Sequence, residues 1–309
     1  MAITASMVKE LREMTGAGMM DCKKALTETN GDMDAAVEFL RKNGQAKAEK
    51  KAGRIAAEGL VRVAMDGDNT AAIVEVNSET DFVAKNETFQ QYVEAVAAQA
   101  VASDAADMDA FLAETWNADS SKTVKDALVE KIAVIGENLN IRRFQKETQE
   151  NGCIVSYIHG GGRIGVLVKA ETAVVNDAVK EALTNVAMQV AALAPKYVSS
   201  DDVSEEYKEH EKAILLAQAK NENPDKPENI IEKMIIGRLN KELKEVCLME
   251  QAYVKAEDGK QTVAKYLQQV SKEVGADIKI TGFVRFETGE GLEKKSEDLA
   301  AEVAAQMNA

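Results

Sequence analysis

Two stretches of this chain contain residue types that could do chemistry, and the first is a glycine-rich loop. The segment His159-Gly160-Gly161-Gly162-Arg163-Ile164-Gly165 satisfies the dinucleotide spacing G-x-G-x-x-G and also the H-G-G-G of an esterase oxyanion loop. A dinucleotide loop must open a helix, whereas this one leads into the strand pattern of residues 164–169. An esterase also needs a G-x-S-x-G elbow, which the sequence lacks. The pattern therefore favours a hairpin turn, and an enzyme that uses the loop remains the alternative.

The other polar residues offer little for acid–base or metal chemistry. The chain has only 2 histidines, His159 at the tip of the turn and His210 in a polar helix pattern. The carboxylates show neither EF-hand nor phosphate-loop spacing. We therefore expect no catalytic residue, no metal and no cofactor. His159 is expected to be exposed, in a position suited to contact.

The second stretch is a polar and aromatic segment that occurs once in a duplicated region. The hairpin pattern of residues 61–76 is repeated over 155–170 at a constant offset, which places Val61 over Val155. Each copy then reaches a Glu-Thr pair. The residues after that pair differ, with Asp81-Phe82-Val83 after Thr80 in the first copy and Ala173-Val174-Val175 in the second. Because both copies are needed to bury a core, a departure in one copy indicates specialised function.

A purely structural interpretation of this segment is also open. Thr80 or Asp81 could cap the helix that comes after it, and Phe82 could pack as a hydrophobic staple. Composition alone favours this local role over a contact site.

Composition limits the class of protein. The chain has 309 residues, 45% of them hydrophobic and 29% charged, which is typical of two or three small globular domains. No stretch is apolar for long enough to cross a bilayer, and the N-terminus has no signal-peptide pattern, so we expect a cytoplasmic protein without membrane contact. Cys22, Cys153 and Cys247 are odd in number and widely spaced, which indicates reduced, buried thiols. The net charge of −14 opposes direct nucleic-acid binding.

Apolar periodicity predicts the helices and strands. Residues 1–53 are expected to form three short helices, the third capped by Asp32 and ending at Gly44. The loop before the second helix delivers Met19 and Met20, which cannot both point inward, so one is available to a partner. The remaining predicted elements are strands in the two hairpins, helices over 90–102, 124–135, 179–193, 205–220, 230–249, 263–274 and about 293–307, and strands over 139–144 and 278–286.

These elements predict an α+β fold instead of a βαβ nucleotide-binding sheet. The helix over 124–135 and the strand after it are expected to lie between the two copies. The helices over 205–220 and 230–249 are separated by a proline-containing breaker, and Ile231, Ile235 and Leu239 contribute to a narrow apolar stripe. They are expected to form a protruding antiparallel hairpin, which is also a candidate surface for pairing two copies of the chain.

Four segments resemble the bacterial elongation factor Ts family, the nucleotide exchange factors of elongation factor Tu. They are V-K-E-L-R-E-M-T-G-A-G-M-M-D-C-K-K-A-L at 8–26, E-T-D-F-V-A-K-N at 79–86, H-G-G-G-R-I-G-V-L at 159–167 and G-F-V-R-F-E-T-G-E-G at 282–291. The segments are long, collinear and spread over nearly the whole chain.

The resemblance implies an architecture. It comprises an N-terminal three-helix domain like a ubiquitin-associated domain, a core of two related antiparallel-sheet and helix subdomains, a coiled-coil hairpin and a C-terminal module. The expected boundaries are 1–53, 54–137, 138–200 completed by part of 250–285, 201–250 and 251–309.

The resemblance also implies a function that acts by binding and makes or breaks no bond. The family member would bind GDP-bound and nucleotide-free elongation factor Tu and promote GDP release in protein biosynthesis. The segment from Thr80 to Val83 would disturb the partner's magnesium and phosphate site, with the ring of Phe82 as a wedge. The implied further contacts are Arg12, Met19, Met20 and His159. A different class, an adaptor whose first domain alone binds peptides, is the second alternative.

Overall fold

The computed structural model describes residues 3–222 and 226–294. These residues form helices and two antiparallel three-stranded sheets, so the α+β class predicted from the sequence is confirmed. From residue 295 onward, the helix predicted over about 293–307 lies outside the described residues.

Three helices come first and share a small core of their own. Leu11, Cys22 and Leu26 are fully buried in it. Asp32 caps the third helix by accepting a hydrogen bond from the Ala35 N–H at 2.9 Å, as predicted. The helices are α1 (Ala5–Thr15), α2 (Met19–Glu28) and α3 (Met33–Lys51).

Helix α3 continues to Lys51, so the prediction that it ends at Gly44 was wrong. A glycine that ends a helix takes up a left-handed backbone conformation, and Gly44 is not among the residues with positive φ. It is buried, and a Cβ placed there would lie in van der Waals contact with Val129 and Ala133 of a later helix. Packing at this helix–helix contact outweighs the poor helix propensity of glycine.

The first sheet has strand order β1-β2-β3 and is covered by helices on one face. Phe89, Val93 and Phe111 lie in the core beneath it. Its elements are β1 (Glu58–Asp66), β2 (Thr70–Ser78), α4 (Asp81–Ala84), α5 (Glu87–Ala102), α6 (Met108–Ala113), α7 (Val124–Ile135) and β3 (Asn140–Thr148).

The second sheet has order β4-β5-β6 and a helical hairpin inserted into its chain. In the hairpin, α9 and α10 pack against each other, and Ile231, Ile235 and Leu239 are buried along the predicted stripe. The elements are β4 (Gly152–His159), β5 (Ile164–Thr172), α8 (Asp177–Leu193), α9 (Glu205–Glu222), α10 (Glu228–Val246), α11 (Val263–Val274) and β6 (Ile278–Glu287).

The duplication is longer than the sequence indicated. Helices α7 and α11 end alike at Gly136 and Gly275, both left-handed, and lead into β3 and β6, the third strands of the two sheets. Buried Gln99 and Gln189 accept matching backbone hydrogen bonds, each at 2.8 Å. The helix and strand predicted to lie between the copies therefore belong to the first copy. The hairpin of α9 and α10 interrupts the second.

The constant offset between the copies was wrong by one position along the first strand. Val61 lies in the core between the two sheets, and so does Ile154, whereas Val155 faces the helices behind the second sheet. The connection between strands is 67–69 in the first hairpin and one residue longer, 160–163, in the second. Because side chains alternate along a strand, a slip of one residue moves the apolar set to the other face.

Candidate partner-binding site

Helix α4 contains the segment that occurs only once, and it exposes an aromatic ring. Phe82 is 77% exposed, whereas its neighbour Val83 is buried in the core under the first sheet. Thr80 caps the helix, since its Oγ1 accepts a hydrogen bond from the Val83 N–H at 3.4 Å. The predicted cap is confirmed, and the alternative in which Phe82 packs as a staple is excluded, because the ring is exposed. Burial of Val83 holds the helix down while the ring faces solvent.

The structure also corrects how this segment aligns with the second copy. Ser78 Oγ donates to the Thr80 carbonyl at 3.0 Å, and Thr172 Oγ1 donates to the Val174 carbonyl at 3.3 Å. Thr172 therefore matches Ser78, and the two Glu-Thr pairs of the sequence are not equivalent. Val174 corresponds to Thr80 and not to Phe82.

Helix α4 is thus an insertion in the first copy. Asn86 caps α5 and Asn176 caps α8 in the same way, each accepting a hydrogen bond from a backbone N–H of its helix. The connection that leads to the cap is 79–85 in the first copy and only 173–175 in the second. The extra residues form the short helix that carries Phe82.

Charged groups surround the exposed ring. Lys85 Nζ donates to Asp81 Oδ2 at 2.6 Å and lies 5.7 Å from the centroid of the Phe82 ring. This hydrogen bond holds the pKa of Asp81 below its ordinary value, so the carboxylate is ionised at neutral pH. A groove of about 720 Å³ opens beside the ring, with Ile55 and Glu58 among its lining residues. The arrangement offers a partner an apolar ring next to a carboxylate.

Comparisons with known proteins agree with the resemblance seen in the sequence. The family model described as elongation factor TS matches residues 79–290. Elongation factor Ts of Clostridioides difficile (strain 630) is 55% identical over 306 residues, which is 99% of each chain. Elongation factor Ts of Clostridium novyi (strain NT) is 54% identical over 307 residues, again 99% of each chain. The chain belongs to the elongation factor Ts family.

A second exposed apolar surface in this family member lies at the turn between α1 and α2. Met19 is 58% exposed and Met20 is 74% exposed, so neither points inward and both methionines are accessible. Met14, near the end of α1, is also exposed. Arg12 is also exposed on α1, one turn before the left-handed Gly16, and its carbonyl accepts the Gly16 N–H. Methionine side chains adapt readily to a partner surface.

His159 is exposed at the end of β4, as predicted, and its Nδ1 lies 2.9 Å from the hydroxyl of Tyr157. The glycine turn after it joins β4 to β5, which confirms the hairpin and removes the dinucleotide interpretation. The Gly162 carbonyl accepts a hydrogen bond from the Val61 N–H at 2.7 Å. The turn is therefore docked on β1 and does not form an open phosphate-binding loop.

The described part of the chain offers little reactive chemistry. Cys22, Cys153 and Cys247 are free and buried, as predicted, and burial raises the pKa of Cys247 to about 11. Among residues 3–222 and 226–294 there is no group of three or more His, Cys, Asp or Glu side chains able to hold a metal ion. No helix in the same residues is long and apolar enough to span a membrane.

Two buried or half-buried carboxylates near the site were missed by sequence reasoning. Glu75 is fully buried, and Glu137 lies just after the end of α7. The signal that could have found them is the correct alignment of the copies. In that alignment, Lys169 of the second copy occupies the position of Glu75, and Ala276 occupies the position of Glu137. A charge in one copy without a like charge in the other indicates a role outside the shared scaffold.

Proposed function

We propose that this family member binds elongation factor Tu and accelerates the release of its GDP, with Phe82 as the residue that perturbs the nucleotide site. The observation that supports this role is an aromatic ring 77% exposed on a helix found in one copy only. Thr80 and Val83 fix the helix from behind, and Asp81 lies beside the ring.

The physical effect of such a wedge is electrostatic. In a GTPase, magnesium neutralises the nucleotide phosphates and is held partly by the protein itself. A ring pushed toward that site displaces the groups that hold the ion, which leaves concentrated negative charge poorly compensated. GDP then dissociates faster. The chain acts as a binding protein here and performs no bond-making step.

The exchange cycle requires reciprocity. A factor that weakens GDP binding must itself be weakened by GDP to the same extent, and incoming GTP dismantles the complex by the same linkage. The factor therefore binds the nucleotide-free partner more tightly than the GDP-bound partner.

Other exposed residues supply affinity in this proposal. Arg12, Met19 and Met20 form one contact surface, and His159 forms a second on the far hairpin. The first three helices act as the ubiquitin-associated-like module, and the α9–α10 hairpin is a surface through which two copies could pair. The protein works in the cytoplasm, where translation takes place.

The test is a fluorescent-GDP release assay with elongation factor Tu. The chain should raise the release rate in a saturable manner, and an unchanged rate at saturating concentration would refute the proposal. Binding of a nucleotide to the isolated chain would favour the enzyme alternative. Deletion of residues 1–53 separates exchange from the peptide adaptor, because an adaptor loses all activity and an exchange factor retains its wedge.

A further inference from the structure

A single carboxylate ties the residues before α4 to the end of α7. Glu137 Oε2 accepts hydrogen bonds from the backbone N–H groups of Glu79 and Thr80, each at 3.1 Å. Its Oε1 accepts a third from Thr80 Oγ1 at 2.7 Å. The same Thr80 oxygen caps α4. One side chain therefore fixes both the backbone entering the helix and the residue that caps it.

The attachment is reciprocal. Glu79 Oε1 accepts the N–H of Asn138 at 2.6 Å, so the two segments exchange carboxylate-to-backbone hydrogen bonds. The buried Asn138 amide donates to the carbonyl of Arg54 at 2.8 Å, and the Arg54 guanidinium lies 3.4 Å from Glu79. The chain leaving α3, the end of α7 and the start of α4 thus meet at one hydrogen-bonded junction.

The second copy shows that the scaffold does not need this junction. Helix α11 matches α7 and ends at the same kind of left-handed glycine, but Ala276 stands where the first copy has Glu137. That copy also lacks the inserted helix and has the short connection 173–175. The carboxylate and the inserted helix occur together, in the first copy only.

We propose that Glu137 is a positioning residue for nucleotide exchange, which holds α4 so that Phe82 meets the partner at a fixed angle. A helix of 4 residues cannot maintain itself, since the first turn costs more conformational freedom than its hydrogen bonds return. Its orientation must come from outside. Loss of the anchor spreads the ring over many orientations, and the partner must then select the productive one. The inference rests on the proposed role of Phe82 in exchange.

Three substitutions separate positioning from a direct effect of charge. Glu137→Ala removes all three hydrogen bonds that the carboxylate accepts. Glu137→Asp shortens the side chain by one methylene, so that its carboxylate no longer reaches the N–H groups of Glu79 and Thr80. Glu137→Gln keeps the length, so its amide oxygen can accept both backbone N–H groups while its amide N–H donates to Thr80 Oγ1. Positioning predicts that Gln retains exchange and Asp loses it. A charge acting directly on the partner predicts the reverse order.

The measurement is the rate of fluorescent-GDP release from elongation factor Tu as a function of factor concentration. The plateau reports the maximal effect of bound factor, and the half-saturating concentration reports affinity. We expect Glu137→Ala and Glu137→Asp to lower the plateau about tenfold or more, and Glu137→Gln to stay within about threefold of wild type. If part of a variant is unfolded, the concentration of active factor is lower than the total concentration. This raises the apparent half-saturating concentration but leaves the plateau rate unchanged. A shift of half-saturation alone would therefore overturn the proposal.

Glu250 supplies a matched control within the chain. Its carboxylate also accepts a backbone N–H and a hydroxyl, both from Ser200, at 3.1 and 2.9 Å. Glu250→Ala should leave the plateau unchanged, and an equal loss there would make the Glu137 effect non-specific and overturn the inference.

Phe82→Ala distinguishes failure of this inference from failure of the exchange mechanism. If Phe82→Ala keeps the wild-type plateau, the wedge itself is wrong. If Phe82→Ala lowers the plateau but Glu137→Ala does not, only the positioning role is wrong. The double variant should match Phe82→Ala alone, because an anchor has nothing left to orient once the ring is gone. A further large loss in the double variant would count against the inference.

Discussion

Replacement of Phe82 by alanine tests whether the ring stabilises the fold or acts on the partner. The residue is 77% exposed, so roughly a quarter of a phenylalanine's area of about 200 Å² is covered in the free protein. At about 25 cal/mol per Å² this burial contributes at most about 1 kcal/mol to the free energy of unfolding. Truncation of a buried phenylalanine costs about 3–5 kcal/mol. Phe82→Ala should therefore lower Tm only slightly.

The effect on exchange should be much larger. Insertion into the partner can bury the remaining area, roughly 150 Å², which corresponds to about 4 kcal/mol. Only the part of this energy that is gained in the state releasing nucleotide accelerates release. Since about 1.4 kcal/mol is a factor of ten in rate, the upper limit is nearly three powers of ten. We expect the plateau rate to fall between about tenfold and about a thousandfold.

Stopped-flow release of fluorescent GDP from elongation factor Tu, at several magnesium concentrations, measures this loss. The difference between wild type and Phe82→Ala should shrink when magnesium is chelated, because no ion is left to displace. Asp81→Ala should act in the same direction but more weakly, since a carboxylate disturbs the ion's hydrogen-bonded shell without filling space.

The second copy offers a control. Because α4 is an insertion, no residue of that copy matches Phe82, and the control is Val175, an exposed apolar residue in the short connection before α8. Val175→Ala should leave the release rate unchanged. The wedge is refuted if folded Phe82→Ala and wild-type proteins give equal plateau rates across magnesium concentrations, or if the ring proves to stabilise the fold by about 3 kcal/mol or more.

Three other perturbations test separate parts of the molecule. Met19→Asp combined with Met20→Asp should weaken binding to nucleotide-free elongation factor Tu about a hundredfold by calorimetry without lowering Tm; an unchanged Kd would exclude that contact. Removal of residues 218–232 with a short rejoining loop should leave the sheets folded and GDP release accelerated, whereas loss of cooperative unfolding would show that the hairpin packs on the body. Buried Glu75 pairs with Arg142 at 3.0 Å and with Arg143 at 2.6 Å, so Glu75→Gln should lower the free energy of unfolding at pH 7 by about 2–3 kcal/mol, and equal stability would contradict the role of these ion pairs.

The pH dependence of the Glu75 effect has a definite sign. Burial acts to raise the pKa of this carboxyl, but the Gly289 N–H, the Asn77 amide and Arg143 together hold it below its ordinary value. A group with a lowered folded-state pKa stabilises the protein fully above its unfolded pKa, about 4.3, and loses that effect as pH falls through the folded-state pKa. Denaturation curves of wild type and Glu75→Gln should therefore converge in acid.

Local sequence signals predicted the bounds of a helix correctly where capping residues alone determine where it begins and ends. Helices α7 and α11 begin and end at the predicted residues, because each has a threonine cap before it and a left-handed glycine after it. Gly44 carried the same apparent stop signal, but contact with α7 overrode it. Whether a glycine ends a helix depends on what packs against it, which a single sequence does not show.

Long-range pairing accounts for the larger errors. The strand register depends on a turn that is one residue longer in the second copy. The two Glu-Thr pairs do not match because Glu79-Thr80 lies in the connection after β2, whereas Glu171-Thr172 ends β5. The contacts of Glu137 with Glu79 and Thr80 join residues far apart in the chain. An alignment of the two copies without gaps conceals such features, because it leaves no room for the inserted helix α4.

Three of the segments that carry the family resemblance meet along β1, although they lie far apart in the sequence. The glycine turn docks there through the Gly162 carbonyl, which also accepts a hydrogen bond from Thr288 Oγ1 at 3.3 Å. Gly289, the next residue, donates its N–H to buried Glu75 at 2.8 Å and lies against the backbone of Ala57 in the wall of the groove beside α4. The buried carboxylate therefore holds the turn at Gly289 against Ala57, which lines that groove, so loosening Glu75 should alter the surface next to the ring as well as the stability of the sheets.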